Sequence, residues 1–137
     1  MKRRERMKKL FVSVPMSGRT ESEIKASIAK MKKIAEVYAG EELELIDTYF
    51  PDIPDGVKNA SAWCLGKSIQ RLSEADIFIG IFQAWDWRGC NIENNVADAY
   101  GIKAYHVMPE AVIDNYSELM SQRVDEFISA LPNDRGG

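Results

Sequence analysis

The sequence predicts one α/β domain: a doubly wound parallel sheet of four to five strands with helices on both faces. Three observations predict it. A chain of 137 residues has room for one ordinary hydrophobic core and not for two. Apolar β-rich runs alternate with stretches of helical periodicity in the order βαβαβαβα, which implies a parallel sheet with right-handed crossovers. The run over residues 76–82 (DIFIGIF) is apolar on both faces, as a central strand covered from both sides must be.

Each element has its own signal. Leu10-Phe11-Val12-Ser13-Val14 is a β-rich run stopped by Pro15, the first strand. Thr20-Glu21-Ser22-Glu23 has capping-box spacing, and Ile24, Ile28, Met31, Ala35 and Tyr38 recur every three or four residues until Gly40; the spacing predicts a helix over 20–39. A short strand over 43–47 follows, then a loop in which Pro51, Pro54 and Gly56 break any regular element and which is long enough to cover a site. Residues 61–74 are helical in pattern, with Trp63, Leu65, Ile69 and Leu72 to pack inward, and run straight into the central strand. A helix over 91–100 ended by Gly101, a fourth strand over 103–108 and a last helix over 117–131, with Leu119, Val124, Phe127 and Ile128 inward, complete the chain. This is the Rossmann/flavodoxin-like arrangement. Residues 1–7 read as a flexible basic arm, 8–132 as the domain and 133–137 as a disordered tail.

Composition narrows the function classes. Eighteen basic against 21 acidic residues give a net charge of −3, so no global field favours a nucleic-acid polymer or an anionic membrane, and a small-molecule ligand fits better. Cys64 and Cys90 are too few for a disulfide framework, and His106, the single histidine, leaves no cluster with zinc spacing. Both thiols are expected to be reduced, in a cytoplasmic protein with no metal and no organic cofactor. The run from Leu10 to Met16 is too short for a convincing signal peptide, and no stretch approaches the roughly 20 apolar residues of a membrane span.

In an open parallel sheet, ligands bind beyond the carboxyl ends of the strands, where strand order reverses. Three features fall there. Pro15-Met16-Ser17-Gly18-Arg19 leaves the first strand and opens a helix, so that backbone N–H groups, a hydroxyl and a guanidinium can face an anion; equally, Ser17, Gly18 and Thr20 can serve only to turn the chain and cap the helix. The loop Gln83-Ala84-Trp85-Asp86-Trp87-Arg88-Gly89 places two indoles beside a carboxylate. Trp85 and Trp87 read as a wall for a planar ring with Asp86 bonding its edge, or as hydrophobic plugs or an oligomer contact. Glu93 falls in the first turn of its expected helix, where the helix dipole would keep it ionised and where it can attack an electrophilic carbon or hydrogen-bond a sugar; equally, it can be only an acidic residue of the kind favoured at any helix start. Ile92, Val96 and Ala99 are expected to face the sheet and leave Glu93 at the flank nearest the loops. Asp76 opens the central strand, roughly 20 Å from its other end, and reads as structural, and His106 as a packed or interfacial residue.

Taken together, Phe11-Val12-Ser13-Val14-Pro15-Met16-Ser17-Gly18, Glu74-Ala75-Asp76-Ile77, Trp85 through Gly89 and Ile92-Glu93-Asn94-Asn95-Val96-Ala97 resemble the nucleoside 2-deoxyribosyltransferase-like superfamily. The closest likeness is to its small, often phage-associated branch, and it covers roughly residues 8–108. The resemblance implies that Glu93 is a nucleophile toward C1′ of a nucleoside or nucleotide, forming a glycosyl ester that water or a second base resolves. It gives the loop after the first strand to the sugar or 5′-phosphate, and Asp86 to the base or ribose. It also implies a homo-oligomer in which a neighbouring subunit helps to close the site.

The sequence departs from the family at three points. Phe11 stands where many members carry a tyrosine that orients the nucleophile. Ser68 stands where many carry an aspartate that protonates the leaving base, a task for which a serine hydroxyl is a poor acid. Ser13 and Val14 precede the proline where glycine is usual. Two functions follow: an N-glycosidase or deoxyribosyltransferase with Glu93 as nucleophile and Asp86 as a substitute acid, or an inactive nucleotide-binding protein with the same pocket. A partner-binding domain using the two tryptophans leaves Glu93 unexplained.

Overall fold

The computed structural model describes residues 6–16, 18–82 and 87–130. Four parallel strands, β1 (Lys9–Val12), β2 (Glu44–Leu45), β3 (Ile77–Ile81) and β4 (Lys103–Val107), form one sheet in the order β2-β1-β3-β4. The helices are α1 (Glu21–Ala39), α2 (Ala60–Leu72), α3 (Arg88–Ala99), the single turn α4 (Pro109–Val112) and α5 (Tyr116–Ala130). The architecture is the expected α/β, doubly wound one. Strand β3 pairs with β1 on one side and β4 on the other, and all five of its residues are buried, which accounts for its unbroken apolar composition.

Alternation along the strands feeds two cores. Leu10, Val12, Ile77 and Ile79 meet Ile24, Met31 and Ala35 of α1. Phe11 and Phe78, one step along, meet Leu72 of α2 and Ala97 of α3, and their rings stack at 5.8 Å. Helix α1 begins as its spacing requires: Thr20 Oγ1 accepts from the Glu23 N–H at 3.1 Å while Glu23 Oε1 accepts from the Thr20 N–H at 2.8 Å. It ends at Gly40, whose φ of 71° is one that glycine adopts without strain. Asp76 is structural, as its position implied: at the amino end of β3 its carboxylate accepts from the Lys9 N–H at 2.8 Å.

Several boundaries differ from the sequence reading. Strand β2 is two residues, not five, because β1, its sole neighbour, pairs with it only at Lys9 and Leu10. Helix α3 starts at Arg88 rather than residue 91. Among its described side chains, helix α5 packs on the core through Tyr116, Leu119 and Met120; Val124 and Ile128, expected inward, are 52% and 59% exposed, and the Phe127 side chain lies outside the described ones. Helix α4, unanticipated, is one turn opened by Pro109. His106 lies exposed on the edge strand β4, its ring 6.2 Å from that of Phe78. The arm and tail expected at 1–7 and 133–137 lie, apart from Arg6 and Met7, outside the described residues. Among the described residues, no helix is long and apolar enough to cross a membrane.

Candidate functional site

From β1 the chain winds outward to β2; from β3 it winds the opposite way to β4. The reversal opens a crevice at the carboxyl ends of β1 and β3, and a cavity of about 620 Å³ occupies it, within the range of small-molecule sites. Val12, Val14, Pro15 and Met16 form its floor on the β1 side. Thr48, Tyr49 and Phe50 wall it from the segment after β2. Helix α2 contributes Ser61, Cys64, Leu65 and Ser68, a stripe at helical spacing, and α3 contributes Gly89, Cys90 and Glu93, preceded by Trp87 at its N-cap.

Glu93 is the chemical centre. It is 8% exposed and stands with Cys90 and Ala97 on the buried stripe of α3, so it faces inward rather than lying at the flank; Ala99, expected to face the sheet, is exposed. Because α3 starts three residues early, Glu93 lies beyond its first turn, where the helix dipole has largely faded. The Ser13 hydroxyl donates to Glu93 Oε1 at 2.6 Å, and Ser68, which lines the same cavity, also favours the charged form of the carboxylate. Burial outweighs both serines and lifts the Glu93 pKa to about 7. The expectation of a fully ionised carboxylate is therefore overturned: desolvation disfavours charge more than two hydroxyls and a distant helix end favour it.

The loop after β1 divides between two places. Pro15 and Met16 line the cavity, Ser17 lies outside the described residues, and Gly18 and Arg19 line a separate depression of about 220 Å³ with Glu23, Asp114 and Glu118. Gly18, at φ 75°, turns the chain away. The Arg19 guanidinium is committed to the protein, donating to the Pro15 carbonyl at 2.9 Å, the Glu23 carbonyl at 3.2 Å and Ser27 Oγ at 2.6 Å. Ser27 in turn donates to the Val112 carbonyl at 2.5 Å. Burial lowers the Arg19 pKa. Arg19 fixes the loop that bounds the cavity and does not meet Glu93, contrary to expectation.

Phe11 also stands apart from the cavity, wholly buried against Phe78. It shares a strand face with Ser13 but lies two residues deeper. Ser68, Trp87 and Gly89 all reach the cavity. Trp87 is 4% exposed, its ring 6.2 Å from that of Tyr116, so it is at once a core residue and a wall. A Cβ on Gly89 would meet nothing within 4 Å. Trp85 and Asp86 lie outside the described residues. Among the described residues no cluster could hold a metal ion.

No family model, curated protein or solved structure matches the chain. Ser13 is the functional side chain that sequence reasoning passed over. Its signal was a lone hydroxyl inside an apolar strand, two residues beyond Phe11 and hence on the face toward α2 and α3. The wall residues Tyr49, Cys64 and Cys90 carried no signal of their own, because the fold alone brings them together.

Proposed function

We propose that this protein cleaves or transfers the N-glycosidic bond of a nucleoside or nucleotide, with Glu93 as nucleophile, in the cytoplasm and as a homo-oligomer. The observation that supports this best is a buried glutamate held by the Ser13 hydroxyl, with Ser68 lining the same cavity of nucleoside size at the strand-order reversal. Glycoside chemistry of the retaining kind needs a carboxylate on one face of C1′, where positive charge develops in the transition state. At neutral pH, Glu93 is divided between its neutral and charged forms, and charge growing on the sugar ring favours the ionised one. Ser13 and Ser68 aim the carboxylate. Tyr49, Phe50 and Trp87 provide aromatic surface for a flat base.

A second reading, binding without turnover, is favoured by one feature: the side chain of α2 that meets Glu93 is Ser68, a hydroxyl rather than an acid. The two are separated by incubating the protein with deoxynucleosides, ribonucleosides and their monophosphates while following released base by chromatography and binding by calorimetry. The expected result is base release that Glu93→Gln lowers by about 100-fold or more. Tight binding without release from any compound, unchanged in Glu93→Gln, rules out the glycosidase reading; no binding at millimolar concentration rules out both.

A further inference from the structure

When a C–N glycosidic bond breaks, the departing base must either take up a proton or have carried positive charge from the start. Among the described residues lining the cavity, Glu93 is the one carboxyl group, and no imidazole accompanies it. The Ser13 hydroxyl is already donating to Glu93, and a serine hydroxyl such as that of Ser68 is a poor acid. Among the described residues no charged group acts on the carboxylate: burial and the two serines set its ionisation. Arg88, exposed at the rim, is five residues away, about 7.5 Å of helix rise. Tyr49, Phe50 and Trp87 supply aromatic surface of the kind that attracts a flat cation.

We propose that the cavity selects N-glycosides whose heterocycle is already cationic, of the pyridinium or N-alkylpurinium class, over uncharged nucleosides. The proposal rests on the glycosidase reading of the same site. The cationic ring brings positive charge to Glu93 and needs no proton to depart. The C1′–N bond breaks with its electron pair passing to the ring nitrogen, so the heterocycle leaves neutral, while a Glu93 carboxylate oxygen bonds to C1′. Water then bonds to C1′ and loses a proton to solvent, and the ester's C–O bond breaks with its pair returning to Glu93. One cationic glycoside and one water become one neutral heterocycle, one sugar and one proton.

The test uses the unmodified protein. Nicotinamide riboside, a permanent pyridinium, is compared with its uncharged dihydro form and with the four common ribonucleosides, each corrected for spontaneous hydrolysis, with base release and binding measured together. The expected result is a kcat/KM for nicotinamide release about 100-fold or more above that for any uncharged compound, the scale of a missing general acid. Binding of the pyridinium is expected to be about tenfold tighter than that of its dihydro form, the scale of a cation among aromatic rings and a carboxylate, and Glu93→Gln is expected to erase both preferences. Uncharged nucleosides cleaved as fast as the pyridinium glycoside would overturn the cation proposal and leave the glycosidase reading standing. No release from any compound would overturn both.

Discussion

At Glu93 two influences compete, and their sizes decide the outcome. Removal from water raises a carboxylate pKa by as much as several units, whereas two hydroxyl donors recover only part of it; the result is a group near pH 7. The consequence for stability has a definite sign. With a native pKa of about 7 against a reference value of 4.5, the folded protein binds more protons than the unfolded chain between those values, so stability falls as pH rises across that window. The loss is on the order of 3 kcal/mol. Glu93→Gln should therefore be more stable than the parent at pH 8 and about equal to it near pH 4; thermal melts across this range check it, and an unchanged pH slope in the variant would contradict it. Ser13→Ala removes a donor to the carboxylate, and Ser68→Ala removes a hydroxyl that favours its charged form. Each should push the Glu93 pKa further up, moving the acid limb of the pH–rate profile to higher pH, with isotope-edited NMR of the glutamate carboxyl as an independent check. Sequence reasoning found Glu93 and Ser68 through motif positions. It placed Glu93 at the flank of α3 nearest the loops, whereas Glu93 stands on the buried stripe of that helix, which the packing around α3 and not the local sequence decides.

Helix α3 carries Glu93, and its seating on β3 depends on a contact that sequence alone could not reveal. Asn94 Nδ2 donates to the Ile81 carbonyl at 3.3 Å, and Gly80 leaves the room for it: a Cβ there would press on Asn94 Oδ1 and come within 2.7 Å of a Phe78 ring carbon. Gly80→Ala should destabilise the fold by about 1–3 kcal/mol through overcrowding, measured by urea unfolding. Because Asn94 adjoins Glu93, the same variant should lose kcat beyond what its remaining folded fraction explains. Helices α1 and α2 and strand β3 were legible because capping residues, periodicity and an unbroken apolar run are local signals. The start of α3 was not: its N-cap, Trp87, is apolar and makes no side-chain capping bond. Thr20→Ala, which breaks the capping box of α1, should cost about 1 kcal/mol and leave the Glu93 titration unchanged.

On the scale of the whole molecule, the order β2-β1-β3-β4 places the crevice between β1 and β3, and that crevice was foreseeable from strand alternation alone. What alternation could not foresee is how the first loop splits there, with Pro15 and Met16 turned to the cavity and Arg19 turned away to bind backbone. An arginine after a glycine looks the same in sequence whether it meets a ligand or a carbonyl. Arg19→Ala should loosen the Pro15 carbonyl and raise KM more than it lowers kcat, since it acts on the cavity wall and not on the reacting atoms. The measurement that most directly tests Glu93 as a nucleophile is intact-protein and peptide mass spectrometry after incubation with a 2-fluoro-substituted nucleoside, whose glycosyl ester forms and breaks slowly. The expected result is the mass of one glycosyl group on the peptide that contains Glu93, absent in Glu93→Gln; base release with no sugar on Glu93, or with sugar attached elsewhere, would contradict the assignment.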